Sequence, residues 1–446
     1  MIINSKVLTA ITGAAVLAAG TLCGGGLCAG TAYAQAQEPA EETQAADSQA
    51  AEQEAAQTEV TAEAGTDAQT ETELQTGQEA LYLGVENYGA PETCAENKET
   101  FRYRFSVAGE ERVFSVENGE RNEEGEPDYP IQNLLKEGYS YLVTTDGDTV
   151  TAVQEIPQED PGFEPAVSGT PGERTLSNFL RTALMPAGTT LYIYGGGWDW
   201  QDAGSSVQSR TLGVSADWVR FFRQQDADFT YKEKDGLEQN ADPAHSYYPY
   251  GAYNEYYYAG LDCSGYLGWV LYNTFETENG REGYVGSASG FSRKMSEYGW
   301  GEWSHTVQIP DGTAETAMKP GDIMSMNGHV WISLGTCSDG SIVILHSTPS
   351  FSRTGQPGGG VQIGAIGNDE SCEAYVLADR YMSQLCPEWY ERYPVSLKDP
   401  QTYFTFDKEN AGQFSWDTTA GSNGVSDPDG LQQMAPEEVL QALTGI

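Results

Sequence analysis

The sequence predicts an α+β chain: a helix headed by a cysteine and packed on a small antiparallel sheet, with a small β-rich domain ahead of it. Three observations carry this. Asp262-Cys263-Ser264-Gly265 stands directly before an apolar run, Tyr266, Leu267, Trp269, Val270 and Leu271, that reads as a buried helix. Downstream, His329-Val-Trp-Ile-Ser-Leu334 and Ile342-Val-Ile-Leu-His346 are short apolar runs joined by the turn Gly335 to Gly340, the pattern of a strand pair. Upstream, residues 80–160 hold several alternating segments bounded by turn residues.

In chain order, Lys6 precedes an apolar stretch from Val7 to about Ala19 and small residues up to Ala32-Tyr33-Ala34. This reads as a secretory signal over 1–34, cleaved after Ala34. The apolar core is short of the roughly 20 residues a membrane span needs. Cys23 and Cys28 each follow a leucine, where a lipoprotein signal has a small residue. The expectation is an exported protein, secreted, extracellular or cell-wall associated, with no membrane span once the signal is removed.

Residues 35–79 contain no Lys or Arg and almost no large apolar side chain. Such a segment cannot bury enough surface to offset its ordering entropy, so it reads as a disordered acidic spacer. In the β-rich domain, 80–160, Phe101 to Phe105 and Arg112 to Val116 alternate as strands, and Tyr139 to Val143 and Thr149 to Val153 flank the hairpin signal Asp146-Gly147. Ile131, Leu134 and Leu135 suggest one helical turn. A Pro-, Gly- and acid-rich linker occupies 161–171, and a globular, aromatic-rich domain occupies 172–446. There Ser177 to Leu184 reads as a short helix and Thr190 to Tyr194 as a strand or extended arm. Ser215 reads as the N-cap of another helix.

The chain of 446 residues has 23 Lys and Arg against 66 Asp and Glu, a net charge of −43. Nothing in it would neutralise phosphates, which argues against nucleic acid as a partner. Seven cysteines in a chain this long do not form a disulfide framework; Cys337, Cys372 and Cys386 leave one pair open. No His/Cys cluster has metal spacing, so neither metal nor cofactor is expected.

A cysteine in the first turn of a helix is a candidate nucleophile, because the helix dipole and unpaired N–H groups favour a thiolate. Four histidines could supply a base: His245, His305, His329 and His346. With period 2, His329, Trp331 and Ser333 share one strand face. A four-residue loop would set His329 opposite His346, and a hairpin turning on Asp339-Gly340 would set Ser333 opposite His346. Either register leaves both histidines on one side of the ribbon. Nucleophilic cysteine catalysis needs that arrangement: one imidazole takes the thiol proton, and a second polar group holds the first in the right tautomer. His245 and His305 sit in loop-like surroundings and are given no role.

These residues resemble the NlpC-type papain-like cysteine peptidases of bacterial cell walls. The resemblance lies in Asp-Cys-Ser-Gly-Tyr at 262–266, Lys-Pro-Gly-Asp-Ile at 319–323, Gly-His-Val-Trp-Ile-Ser-Leu-Gly at 328–335 and Ile-Leu-His-Ser at 344–347, and it covers roughly 175–380. It implies a papain-like catalytic domain with Cys263 as nucleophile, His329 as base and His346 as the orienting third member. It also implies cleavage of peptidoglycan stem peptides, often between γ-D-glutamate and a diamino acid. Asp262 would cap the helix and attract a substrate amino group, with Ser264 beside it. Tyr-Ile-Tyr-Gly-Gly at 192–196 resembles the family segment that presents a tyrosine, here Tyr194, to the site. That segment usually lies about a dozen residues before the cysteine; here more than sixty intervene, read as an insertion at about 199–255 folded over the groove. Tyr257 or Tyr258 would be the substitute for Tyr194.

The resulting expectation is a monomeric cysteine endopeptidase acting on a peptidoglycan peptide. Its rivals are an N-acetylmuramoyl-L-alanine amidase on the same fold and a catalytically silent wall-binding surface protein.

Overall fold

The computed structural model describes residues 77–86, 101–119, 129–198, 205–224, 256–275, 283–305, 307–355, 357–419 and 421–446. The expected signal, nearly all of the acidic spacer, and His245 lie outside them. Among the described residues no helix is long and apolar enough to cross a membrane. The chain divides into two compact units.

The smaller unit is a closed five-stranded barrel of β1 (Gln78–Val85), β2 (Tyr103–Val107), β3 (Glu110–Val116), β4 (Ser140–Asp146) and β5 (Thr149–Glu155), in the order β1-β2-β3-β5-β4. All pairs are antiparallel except β3 with β5. Alternation is clean in β2, where Tyr103, Phe105 and Val107 are buried and Arg104 and Ser106 are not. The Asp146-Gly147 hairpin forms with Gly147 at φ 60°, a left-handed position that favours glycine. The expected helical turn is a 3-10 turn, Gln132–Leu134. Tyr141 Oη donates to Leu134 O at 2.7 Å and so holds that turn against β4. β1 begins at Gln78, two residues inside the stretch read as spacer.

Among the described residues, the larger unit combines eight α-helices with a seven-stranded sheet. The helices are α1 (Leu176–Leu184), α2 (Ala216–Gln224), α3 (Cys263–Phe275), α4 (Phe291–Glu297), α5 (Glu373–Leu385), α6 (Pro387–Arg392), α7 (Pro400–Tyr403) and α8 (Pro436–Thr444). The strands are β6 (Gly301–Ser304), β7 (Ile323–Met326), β8 (His329–Thr336), β9 (Ile342–Phe351), β10 (Pro357–Ile366), β11 (Leu397–Lys398) and β12 (Gly412–Trp416). Their order is β11-β10-β9-β8-β7-β12-β6. β12 sits between β6 and β7, so the sheet draws on chain well beyond residue 380.

α3 is apolar all round, and every residue of it but Tyr272 is buried. A helix of that kind belongs in the centre of a fold. It packs on β8 and β9, and Tyr266 Oη donates to Ala183 O at 2.6 Å, tying it to α1. The sheet face that carries His329 and Trp331 is closed by a cluster of Met324, Met326, Trp331, Ile342, Ile344, Ile366, Tyr403 and Phe404.

Three expectations shift. The linker over 161–171 is not free of the larger unit: Thr170 N–H donates to Asn178 Oδ1 at 2.7 Å, and Arg223 donates to Pro161 O at 2.6 Å. α1 starts at Leu176, one residue ahead of the expected Ser177, because Thr175 supplies the cap, accepting from Asn178 N–H at 3.1 Å. The described part of the insertion is not merely a cover. Ser215 begins α2 as expected, and α2 inserts Trp218 edge-on to Trp269 of α3 at 5.7 Å, with Trp218 fully buried.

Candidate active site

Cys263 opens α3 as a buried free thiol. The chain reaches it through an anchored approach. Leu191 bridges Gly260 on one side and Gly360 of β10 on the other. Leu261 N–H donates to Leu191 O at 3.0 Å, and Asp262 N–H donates to Gly196 O at 3.0 Å. Ser347 Oγ of β9 donates to Leu261 O at 2.6 Å, clamping the turn before Cys263 to the strand that bears His346.

Asp262 is the cap. Its Oδ1 accepts from Gly265 N–H at 2.6 Å and from Ser264 Oγ at 2.9 Å. Burial outweighs these donors and pushes its carboxyl up to about 6. Tyr194 is half-buried and stands directly before Gly195-Gly196-Gly197. That glycine turn lies on the head of α3: a methyl group on Gly197 would fall 2.4 Å from Gly265 Cα. The fold therefore brings this segment to the cysteine despite the intervening insertion. Tyr257 and Tyr258 are buried in a 3-10 turn just before it.

The two histidines meet. His329 Nε2 and His346 Nδ1 are 3.1 Å apart, and His346 Nε2 lies 2.7 Å from Ser396 Oγ. The pairing register is neither of the two expected. Ile332 faces Leu345, and continuing outward Trp331 faces His346; a bulge between Ser333 and Gly335, with Gly335 at φ 117°, shifts the ribbon by one position. The histidines share a face as expected, on a diagonal.

One tautomer makes this relay a base. If His346 Nε2–H donates to Ser396, its Nδ1 accepts from His329 Nε2–H. His329 Nδ1 is then left with a lone pair for a proton. Burial is the main cause that lowers His329 to about 3, with Lys398 second, so the imidazole is neutral at ordinary pH. His346 is likewise lowered well below the usual imidazole range, by burial first, then by His329 and Lys398.

Tyr403 packs against both histidines. Its ring stands edge-on to His329 at 5.4 Å and to His346 at 6.1 Å between centroids. Burial raises its phenol strongly. Its hydroxyl bonds Thr348 and also feels the charge of Cys263.

Ser396 directly precedes β11, Lys398 lies on it and Tyr403 ends α7; none of the three was legible in the sequence. Ser396 is fifty residues past its partner, and no motif or periodicity marks the segment. The only cue was Asp399-Pro400, a helix-start signal; Asp399 accepts from Thr402 N–H at 3.0 Å.

The remaining candidates have structural surroundings. His305 Nδ1 lies 2.7 Å from Ala411 O, with its ring tilted against Trp303 and edge-on to Phe406. Cys337, Cys372 and Cys386 are free thiols, and burial pushes Cys337 and Cys386 up to about 12. Cys337, Asp339 and Glu373 place ligand atoms within 4.8 Å of one another. Their carboxylates are already engaged: Asp339 accepts from Ser341 and Glu373 N–H, and Glu373 accepts from Ser338.

Compared with protein-family models, with curated proteins and with solved structures, the chain has no match.

Proposed function

We propose that this chain is an exported cysteine endopeptidase with a papain-like, NlpC-type catalytic domain. Its substrate is a peptidoglycan stem peptide, cut between γ-D-glutamate and the diamino acid. The observation that carries the reading is the buried His329–His346–Ser396 relay, packed on Tyr403, whose phenol feels the charge of the helix-heading Cys263.

In this mechanism Cys263 passes its proton to His329 Nδ1, and the sulfur attacks the γ-carbonyl. The backbone N–H of Cys263, in the first turn of the helix, stabilises the oxyanion. His329 returns the proton to the departing amine, then takes one from the water that resolves the thioester. His346 holds the His329 ring and its tautomer; Ser396 holds His346. Asp262, above its titration point at neutral pH, is a counter-charge for a substrate amino group.

Purified protein incubated with defined muropeptides and followed by mass analysis tests this. The reading expects new amino groups on the diamino acid. Free lactyl carboxylates would instead mark an amidase, and an absence of products would mark a silent surface protein.

A further inference from the structure

We propose that Lys398 is the anion-recognition residue of this site and selects substrates whose acyl donor carries a free carboxylate beside the scissile amide. The inference rests on the peptidase reading: a γ-linked glutamyl donor keeps its α-carboxylate unless that group is amidated.

Lys398 lies on β11, two residues past Ser396, where Ile366 of β10 is its register partner. Its Nζ stands over the Tyr403 ring, 5.7 Å from the centroid, a cation–π placement. That ring is the one in edge contact with His329 and His346. The ammonium therefore stands on the ring that packs against His329 and His346 and whose phenol feels the charge of Cys263. Its positive charge acts on both imidazoles.

No carboxylate answers it. Among the described residues, Lys398 has no ion-pair partner, although the chain holds 66 acidic residues against 23 basic ones. Its neighbour Asp399 is turned away to cap α7. Burial alone lowers Lys398 to about 8, so it remains mostly charged at neutral pH. Lys398 is half-buried, and a partly desolvated cation without a counter-charge is unfavourable in the free protein. A carboxylate arriving with the substrate relieves that cost and forms a charge-assisted contact.

The test uses full-length protein and two readouts. The first is alkylation of Cys263 by anionic iodoacetate and neutral iodoacetamide, mapped by peptide mass. The ratio of the two rates should fall at least several-fold in Lys398→Met and be largely restored in Lys398→Arg. The second compares stems ending the donor in γ-D-glutamate with stems carrying the α-amide. Wild type should favour the acid through KM, and Lys398→Met should lose that preference. A reactive Cys263 with an unchanged iodoacetate-to-iodoacetamide ratio in Lys398→Met overturns the role of Lys398 and leaves the peptidase reading standing. A Cys263 that reacts no faster than an ordinary thiol with either reagent overturns the peptidase reading itself.

Discussion

Ser396→Ala isolates the relay from the nucleophile. Ser396 is 7 % exposed and His346 is fully buried, so no water replaces the lost hydroxyl. The Ser396 backbone stays in place, because its N–H donates to Gln362 Oε1 at 2.9 Å and its carbonyl accepts from Ala365. Without the hydroxyl, His346 Nε2–H is a buried donor with no acceptor, a cost of about 1–3 kcal/mol. His346 avoids that cost by moving its proton to Nδ1, which then donates to His329 Nε2. His329 must in turn carry its own proton on Nδ1 and can no longer accept one from Cys263. If the cost appears in full in the population of the working tautomer, kcat falls between about 5-fold and about 150-fold. KM changes little, since Ser396 acts only through His346. Steady-state kinetics on a defined stem peptide measure both constants, and Ser396→Thr, which restores a hydroxyl, should recover most of kcat. Full kcat in Ser396→Ala, or a loss confined to KM, would refute the tautomer argument.

Other consequences follow from the same geometry. Gly364→Ala places a methyl carbon 2.4 Å from Ser396 Oγ and 3.0 Å from His346 Nε2, so activity should drop at least as far as in Ser396→Ala, with folding checked by circular dichroism. Asp262 is held up to about 6 by burial, so its negative charge is present above that value and lost as pH falls through it. For stems with a free amino terminus KM should therefore rise below pH 6, and Asp262→Asn should flatten that part of a pH profile. Trp218→Ala removes a fully buried ring from against Trp269 and should cost about 3–5 kcal/mol in denaturant unfolding, showing that α2 supports the cysteine helix.

Much of this arrangement was written in local pattern. The Cys263 helix was legible because an apolar run after Asp-Cys-Ser-Gly needs both a cap and a buried environment. The histidine ribbon was legible because a period of 2 fixes faces whatever the register. The register itself was not, since the bulge at Leu334 depends on how Gly335 is accommodated, and period alone does not reveal an inserted residue. The half of the site formed by Ser396, Lys398 and Tyr403 was hidden for a different reason: β11 has two residues and joins the sheet by a parallel, long-range pairing. Such a strand is too short to show alternation, and its role is set by what it lands beside. The anchoring of residues 161–171 was masked likewise, because Pro-, Gly- and acid-rich sequence reads as linker wherever its backbone groups are held by distant side chains.

The central claim is that Cys263 forms an acyl-enzyme with help from His329. Acid-quenching the protein during turnover of a defined stem peptide and measuring its intact mass tests this directly. The account predicts an adduct with the mass of the acyl donor, mapped to Cys263, absent in Cys263→Ala and strongly reduced in His329→Ala. Turnover by Cys263→Ala, or wild-type turnover with the only adduct on another residue, would contradict it.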